Sequence, residues 1–319
     1  MARFLGLDTS NYTTSAAVYD DIEHTLCQRR RLLPVQDGAL GLRQSDAVFS
    51  HTRQLAPLVE ELCAQCPGPL PAAVGVSVSP RDGAESYMPC FLVGDNTARC
   101  LGAVLGVPVY GFSHQAGHIM AALASVQRVG LCSAPFLAFH VSGGTTDLLL
   151  VTPDDKKILS IAQLATSLDL KAGQAVDRVG GMLGLAFPAG RALDALSLQA
   201  PEQRFGHRPV LKEGSCCLSG IENICRTMLD RGSPAPQVAL CCLDYIGRTL
   251  DAMVEWALAR HPGLPVVFCG GVMSNTILRQ RLGRRPGVLF GSAELSSDNA
   301  CGTAVLAALA HERSAHQAP

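Results

Sequence analysis

Twice in the first half of the chain an apolar run ends in small polar residues or glycines, and a second apolar run follows at once. "ARFLGLDTS" passes through a turn at Asp8, Thr9, Ser10 and Asn11 into "TSAAVYD", and "PFLAFHVSGG" passes into "TTDLLLVT". Short apolar runs bounded by turn residues suit buried strands, so each reads as strand, polar turn, strand. Helical and extended stretches alternate around them. "SHTRQLAPLVEELCAQ" sets Leu55, Leu58, Val59 and Leu62 at helical spacing, and "AVGVSVS" reads as a buried strand. "TARCLGAVLGVPVYGF" reads as a helix and then a strand, "LPVVFCGGVMSN" as a strand running into glycines, and "SSDNACGTAVLAALAHE" as a capped terminal helix. The repeated arrangement predicts two related α/β lobes. The first spans 1–111 with the helix 296–313 packing back on it, and the second spans 112–295. No linker, low-complexity segment or short-period repeat interrupts them.

At 319 residues the chain is too long for one simple core, and its 48% hydrophobic and 17% charged residues suit a well-buried globular enzyme. A formal net charge of −1 excludes a global basic field of the kind that drives nucleic-acid binding, so RNA contact needs a local patch or a basic partner. The N-terminus lacks the pattern of a signal peptide, and no apolar run approaches the ~20 residues of a membrane span. A cytoplasmic location is expected. The 13 cysteines are then expected to be reduced thiols serving as small buried hydrophobes. Cys63 and Cys66 have C-x-x-C spacing but no second pair in metal-ligand register, and the adjacent pairs Cys216–Cys217 and Cys241–Cys242 read as packing.

"GFSHQAGHIMAAL" carries His114 and His118, four residues apart in a helix-forming stretch. On a helix their Cβ atoms lie roughly 5–6 Å apart on one face. That spacing can hold a transition metal, and it can equally be two polar residues on a helix. Two neutral imidazoles need an anionic third ligand, for which Asp298 in "ELSSDNACGTA" is a candidate; its position before an apolar helix also suits an N-cap. Glycine turns at Ser142-Gly143-Gly144, at Gly190 and at Gly270-Gly271 follow strands or open helices. Each is ordinary turn chemistry alone; together they favour a nucleotide-like ligand. Asp8, Thr9 and Ser10 form a further, weaker phosphate turn.

The order of "DTSNYTTSAAVYD", "SHQAGH", "VSGGTTDLLLV", "KAGQAVDRVGGMLGLAFPAG", "LSGIEN", "FCGGVMSN" and "SSDNA" resembles the tRNA threonylcarbamoyladenosine synthase family of the TsaD type along nearly the whole chain. The resemblance implies an α/β, two-lobed fold shared with actin, sugar kinases and heat-shock chaperones, with a ligand cleft between the lobes. It implies transfer of a threonylcarbamoyl group from an adenylate to the N6 amine of the adenosine beside the anticodon of tRNA. By position, His114, His118 and Asp298 would hold one divalent ion per chain, iron or zinc. His140, Val141, Ser142, Gly143 and Gly144 would contact the donor, Asp177 and Gly190 the ribose side, and Asn275 the adenine or phosphate. A homologous partner subunit and an ATPase subunit are the implied partners.

The chemistry agrees: an acyl adenylate is already activated and needs orientation, a cation at its carbonyl and a stabilised leaving phosphate. No G-x-S-x-G elbow is present, and Gln115 stands where a zincin protease carries its glutamate, which argues against proteolysis. Four departures stand out. Thr145 replaces a usual histidine, Asn11-Tyr12-Thr13 a cysteine and two acidic residues, Glu222 a lysine, and "GALGLRQSDAVFS" a glycine- and proline-rich segment. They keep a second reading open, a diverged paralog that binds metal and nucleotide but serves another acceptor in a carbamoyltransferase-like way, or a non-catalytic binding subunit.

Overall fold

A computed structural model describes residues 2–10, 12–34, 42–83, 85–296 and 300–317. Asn11 and Asp298 of the sequence reading lie outside the described residues. The elements run β1 (Arg3–Ser10), β2 (Thr13–Asp20), β3 (Thr25–Leu32), α1 (Gln44–Gln65), β4 (Ala73–Ser79), α2 (Phe91–Leu105), β5 (Val109–Ser113) and α3 (His114–Ser125). They continue with β6 (Phe136–Val141), β7 (Thr146–Asp154), β8 (Ile158–Thr166), α4 (Ala172–Met182), α5 (Gly190–Ser197), β9 (Leu211–Lys212), β10 (Ser215–Cys216) and α6 (Gly220–Asp230). The chain closes with α7 (Ala235–Leu258), β11 (Val266–Cys269), α8 (Thr276–Leu282), β12 (Val288–Phe290) and α9 (Cys301–Gln317).

The strand–turn–strand units open two sheets of matching layout. One has strand order β3-β2-β1-β4-β5, and the other, read from its opposite edge, β8-β7-β6-β11-β12. In each, the opening strand pairs antiparallel with the next in sequence and parallel with a later strand. The chain divides into two compact units. The first comprises residues 1–134, 152–161 and 297–319, and the second 135–151 and 162–296.

In the first unit, β1 and β4 are buried along nearly their whole length, as central strands covered on both faces are. Gly6 and Gly75 are cross-strand partners. A Cβ on Gly6 would stand 2.4 Å from the carbonyl oxygen of Ala300, and one on Gly75 2.4 Å from that of Thr303. The missing side chains let α9 lie directly on the sheet. On its other side α9 meets α3 just as closely, for a Cβ on Gly302 would fall 1.8 Å from the Gly117 carbonyl oxygen. This contact explains why α3 belongs to the first unit, past the boundary at 111 that the sequence suggests.

The reduced-thiol expectation is corrected for Cys27 and Cys66. Cys27 on β3 and Cys66 at the end of α1 form a disulfide across 39 residues of sequence, so Cys66 is not partnered with Cys63, which is an exposed free thiol. The C-x-x-C spacing hid the pairing because the helix end meets a strand that is distant in sequence.

In the second unit, Phe139, Phe268 and Phe290 are register partners on β6, β11 and β12, with ring centroids 4.7 and 5.3 Å apart. Such cross-strand aromatic pairs add to sheet stability beyond their buried area. Cys216, Cys225, Cys241 and Cys242 are fully buried in this core. Burial pushes the Cys216 thiol up to about 11, which makes it inert packing.

Gly302→Ala is expected to cost at least ~1–3 kcal/mol by overpacking against backbone. Gly206→Ala, where nothing lies within 4 Å of the added Cβ, is expected to change little. Urea unfolding of the two variants checks the difference.

Candidate functional site

Ser113 opens α3 as its N-cap, its hydroxyl accepting the Ala116 amide at 3.2 Å. The helix therefore starts at His114, and His118 follows one turn later on the same face. Their Nε2 atoms lie 3.0 Å apart. The Asp8 carboxylate at the end of β1 is fully buried. Its Oδ2 lies 2.7 Å from His114 Nδ1 and accepts the Ser77 hydroxyl of β4 at 2.5 Å, while its Oδ1 accepts the Ser10 amide at 2.8 Å. Burial alone would raise the Asp8 carboxyl. The charge on His114, with the hydrogen bonds from His114, Ser77 and Ser10, outweighs burial and holds it below the usual carboxylate range. An ionised Asp8 makes His114 Nδ1 the donor, so that whenever the ring is neutral its Nε2 lone pair faces His118.

A second histidine network adjoins this one. Thr14 on β2 donates its hydroxyl proton to Gln54 Oε1 at 2.9 Å, so it accepts from Nδ1 of buried His51 on α1, 2.8 Å away. Burial pulls the His51 pKa below the ordinary imidazole value, against the opposing influence of Asp8 and the Ser10 backbone. Thr9 is turned inward, donating to the Cys90 carbonyl at 3.0 Å and accepting the Gly94 amide at 3.1 Å. The Asp8 and Thr9 side chains of the phosphate turn are thus held by protein partners.

In the second unit, β6 delivers His140 and Val141 to the Ser142–Gly144 turn, closed by Ser142 N–H to Thr145 O at 2.8 Å. Helix α4 begins against this turn: the Gly173 amide donates to Ser142 O at 3.2 Å, and a Gly173 Cβ would stand 2.6 Å from Gly143 Cα. The glycine turn after β11 also abuts the end of β6. Gly270 has φ +96°, and its Cβ would lie 2.3 Å from the Val141 carbonyl oxygen, so only glycine fits. Asp177 on α4 accepts the Ala189 amide at 2.8 Å just ahead of Gly190, and burial raises its pKa. Asn275 caps α8 through Leu278 N–H at 3.1 Å, and beside it Asp194 of α5 accepts the Thr276 hydroxyl at 2.9 Å. His140, Ser142, Gly143 and Gly144 thus gather at one strand end, Gly190 and Asn275 lie at helix starts, and Asp177, midway along α4, reaches the start of α5 through Ala189.

Sequence reasoning missed Ser77, His51, Asp194 and Asp147, whose buried carboxylate accepts the Thr166 hydroxyl at 2.7 Å. An acidic residue inside the apolar run "TTDLLLV" was the available signal for Asp147. The departure at Glu222 is absorbed by Arg178, 3.0 Å away, and Arg226, 3.7 Å away. Among the described residues, no group of three or more His, Cys, Asp or Glu side chains is arranged to hold a metal.

Duplicated five-stranded sheets with polar turns at the ends of their opening strands define the α/β fold class of the sugar kinases. A ROK family glucokinase from Streptomyces griseus superposes with TM-score 0.53 at 14% identity, over 97% of this chain and all of that one. The (R)-2-hydroxyglutaryl-CoA dehydratase component A of Acidaminococcus fermentans superposes with TM-score 0.56 at 15% identity, over 99% and 100%. Likenesses this distant in sequence show the fold alone. The family model for TsaD, tRNA N6-adenosine threonylcarbamoyltransferase, matches residues 41–305. A tRNA N6-adenosine threonylcarbamoyltransferase of Thiobacillus denitrificans is 31% identical over 307 residues, covering 92% of this chain and 87% of that protein. The chain belongs to the TsaD family, and with it to the acyltransferases.

The depressed His51 pKa has a pH signature. Below about 6.5 an unfolded histidine takes up a proton that folded His51 resists, so the unfolded state binds more protons and stability falls as pH drops. His51→Gln is expected to give a shallower decline between pH 6.5 and 5 in urea unfolding than the wild type.

Proposed function

We propose that the chain transfers the threonylcarbamoyl group of threonylcarbamoyl-adenylate to the N6 amine of the adenosine beside the anticodon of tRNA, assisted by a divalent metal. Family membership supports the reaction class, and the observation that carries the metal reading is the His114–His118 pair. The two Nε2 atoms face each other 3.0 Å apart, close enough that one ion could be held by both. Asp8 on His114 Nδ1 is the carboxylate–histidine partnership that typically orients a metal-ligating imidazole. The donor set fits iron or zinc, with Asp298 as the anionic third ligand. When bound, the ion supplies a Lewis acid for the threonylcarbamoyl carbonyl.

The chain's own residues supply the rest. The amides of Gly143 and Gly144, in the turn at the start of α4, suit phosphate oxygens, which stabilises the adenylate as leaving group. Asp177 and Gly190 are assigned to the ribose, Asn275 to the adenine or phosphate, and His140 and Val141 to the donor. An activated acyl donor needs no covalent nucleophile, so these groups work by orientation. In this reading the implied partners are a homologous subunit and an ATPase subunit. No helix among the described residues is long and apolar enough to cross a membrane.

The test is incubation of the protein, with and without a partner subunit, with unmodified tRNA and preformed threonylcarbamoyl-adenylate, followed by mass spectrometry of the nucleosides. Threonylcarbamoyladenosine is expected, falling at least ~100-fold in His118→Ala. No product, with metal and adenylate still bound, would move the reading to another acceptor. Asp8→Asn is expected to weaken metal affinity by ~10–100-fold, read by equilibrium dialysis, because one amide cannot accept from Ser10, Ser77 and His114 together.

A further inference from the structure

A cavity of about 530 Å³ in the second unit, between α5, α7 and α8, is lined by Arg204, Arg248, Arg281 and Arg284. Against these stand the carboxylates of Asp244 and Glu202, leaving the lining two positive charges in excess. Two of the arginines are fixed in place. Asp244 is buried and pairs with both Arg248, whose Nε lies 2.9 Å from its Oδ2, and Arg281. Arg248 also donates from Nη1 to the His207 carbonyl at 3.1 Å. Arg281 lies across α7 where Gly247 makes room, since a Cβ there would stand 2.8 Å from Arg281 Cδ. One carboxylate shared by two guanidiniums leaves a net positive charge and N–H donors to spare. Arg204 and Arg284 are exposed and form no ion pair among the described residues.

Ordinary surface arginines are mobile and solvated, and ordering them on a ligand is costly in side-chain entropy. Here that ordering is already supplied for the inner pair by Asp244, Gly247 and His207. Guanidinium forks match phosphate oxygens, and four of them offer more donors than one phosphate can use.

We propose that this cavity binds a ligand carrying two or more phosphates, the chemistry shared by an RNA backbone and a free polyphosphate. Arg248 and Arg281 form its preset floor, and Arg204 and Arg284 its rim. Only the RNA source rests on the proposed function; the cavity lining shares no residue with the histidine pair or with the Ser142–Gly144 turn.

The experiment measures binding alone, on full-length protein treated with chelator and without adenylate, so its result is separable from that of the transfer assay. Wild type and the rim variant Arg204→Gln/Arg284→Gln are titrated with fluorescent unmodified tRNA at several salt concentrations, and with tripolyphosphate by calorimetry. Both substitutions lie at exposed positions, and matching thermal midpoints establish that the variant is folded. The single variant Arg284→Gln serves if the double one is not. Weakening of about 10-fold for tRNA, with the slope of log K against log salt shallower by about 1 to 2, supports the site with RNA as source. A similar loss for tripolyphosphate alone supports the site with a small polyphosphate as source. Unchanged binding of both ligands overturns the proposal.

Discussion

The close packing of α9 is the constraint on which the first unit depends. A helix can lie this near a sheet only where side chains are missing, and Gly6 and Gly75 supply that place as cross-strand partners. Gly302 against Gly117 brings α3 equally near on the other side. The result ties β1, β4, α3 and α9 into one rigid body. Asp8 lies near the end of β1, Ser77 lies on β4, His114 opens α3 with His118 one turn on, and Thr303 lies on α9 with its hydroxyl 3.4 Å from that of Ser77. A network assembled from four elements keeps its distances only if those elements cannot slide, and interiors packed to crystal density resist sliding.

Burial and charge act together on this network. Asp8 accepts three hydrogen bonds in a place where a solitary carboxylate would be costly. It stays ionised because its donors are aimed at it, and being ionised it sets the tautomer of His114. Such second-layer control is how a protein chooses which imidazole nitrogen it presents. The second unit works with backbone instead. Its turns meet where Gly173 and Gly270 allow main chain to pass main chain, and the exposed amides and helix starts favour anions without a side-chain charge.

Much of this was legible in the sequence, for local reasons. Apolar runs ending in small polar residues form buried strands, and the H-x-x-x-H spacing puts two imidazoles on one face once a serine caps the helix. What sequence could not convey came from contacts between distant segments. Asp8 reads as a turn residue open to ligand, yet it faces inward because β4 and α3 bring Ser77 and His114 to it. Cys27 and Cys66 read as reduced thiols, yet the end of α1 delivers Cys66 to Cys27 on β3. Nothing local announces that Gly117 on α3 will meet Gly302 on α9. The arginine cavity has no motif at all, being drawn from α5, α7, α8 and the loop residues that follow α5 and α8.

The proposed chemistry turns on whether His114 and His118 hold a metal ion. The most direct measurement is X-ray absorption at the metal edge, with stoichiometry by mass spectrometry, on protein reconstituted with iron or zinc. About one ion per chain is expected, with imidazole nitrogens among its ligands at roughly 2.0–2.1 Å, and loss of that ion in His114→Ala/His118→Ala while Cys63→Ser keeps it. Full metal content retained in the double histidine variant would contradict the proposed chemistry.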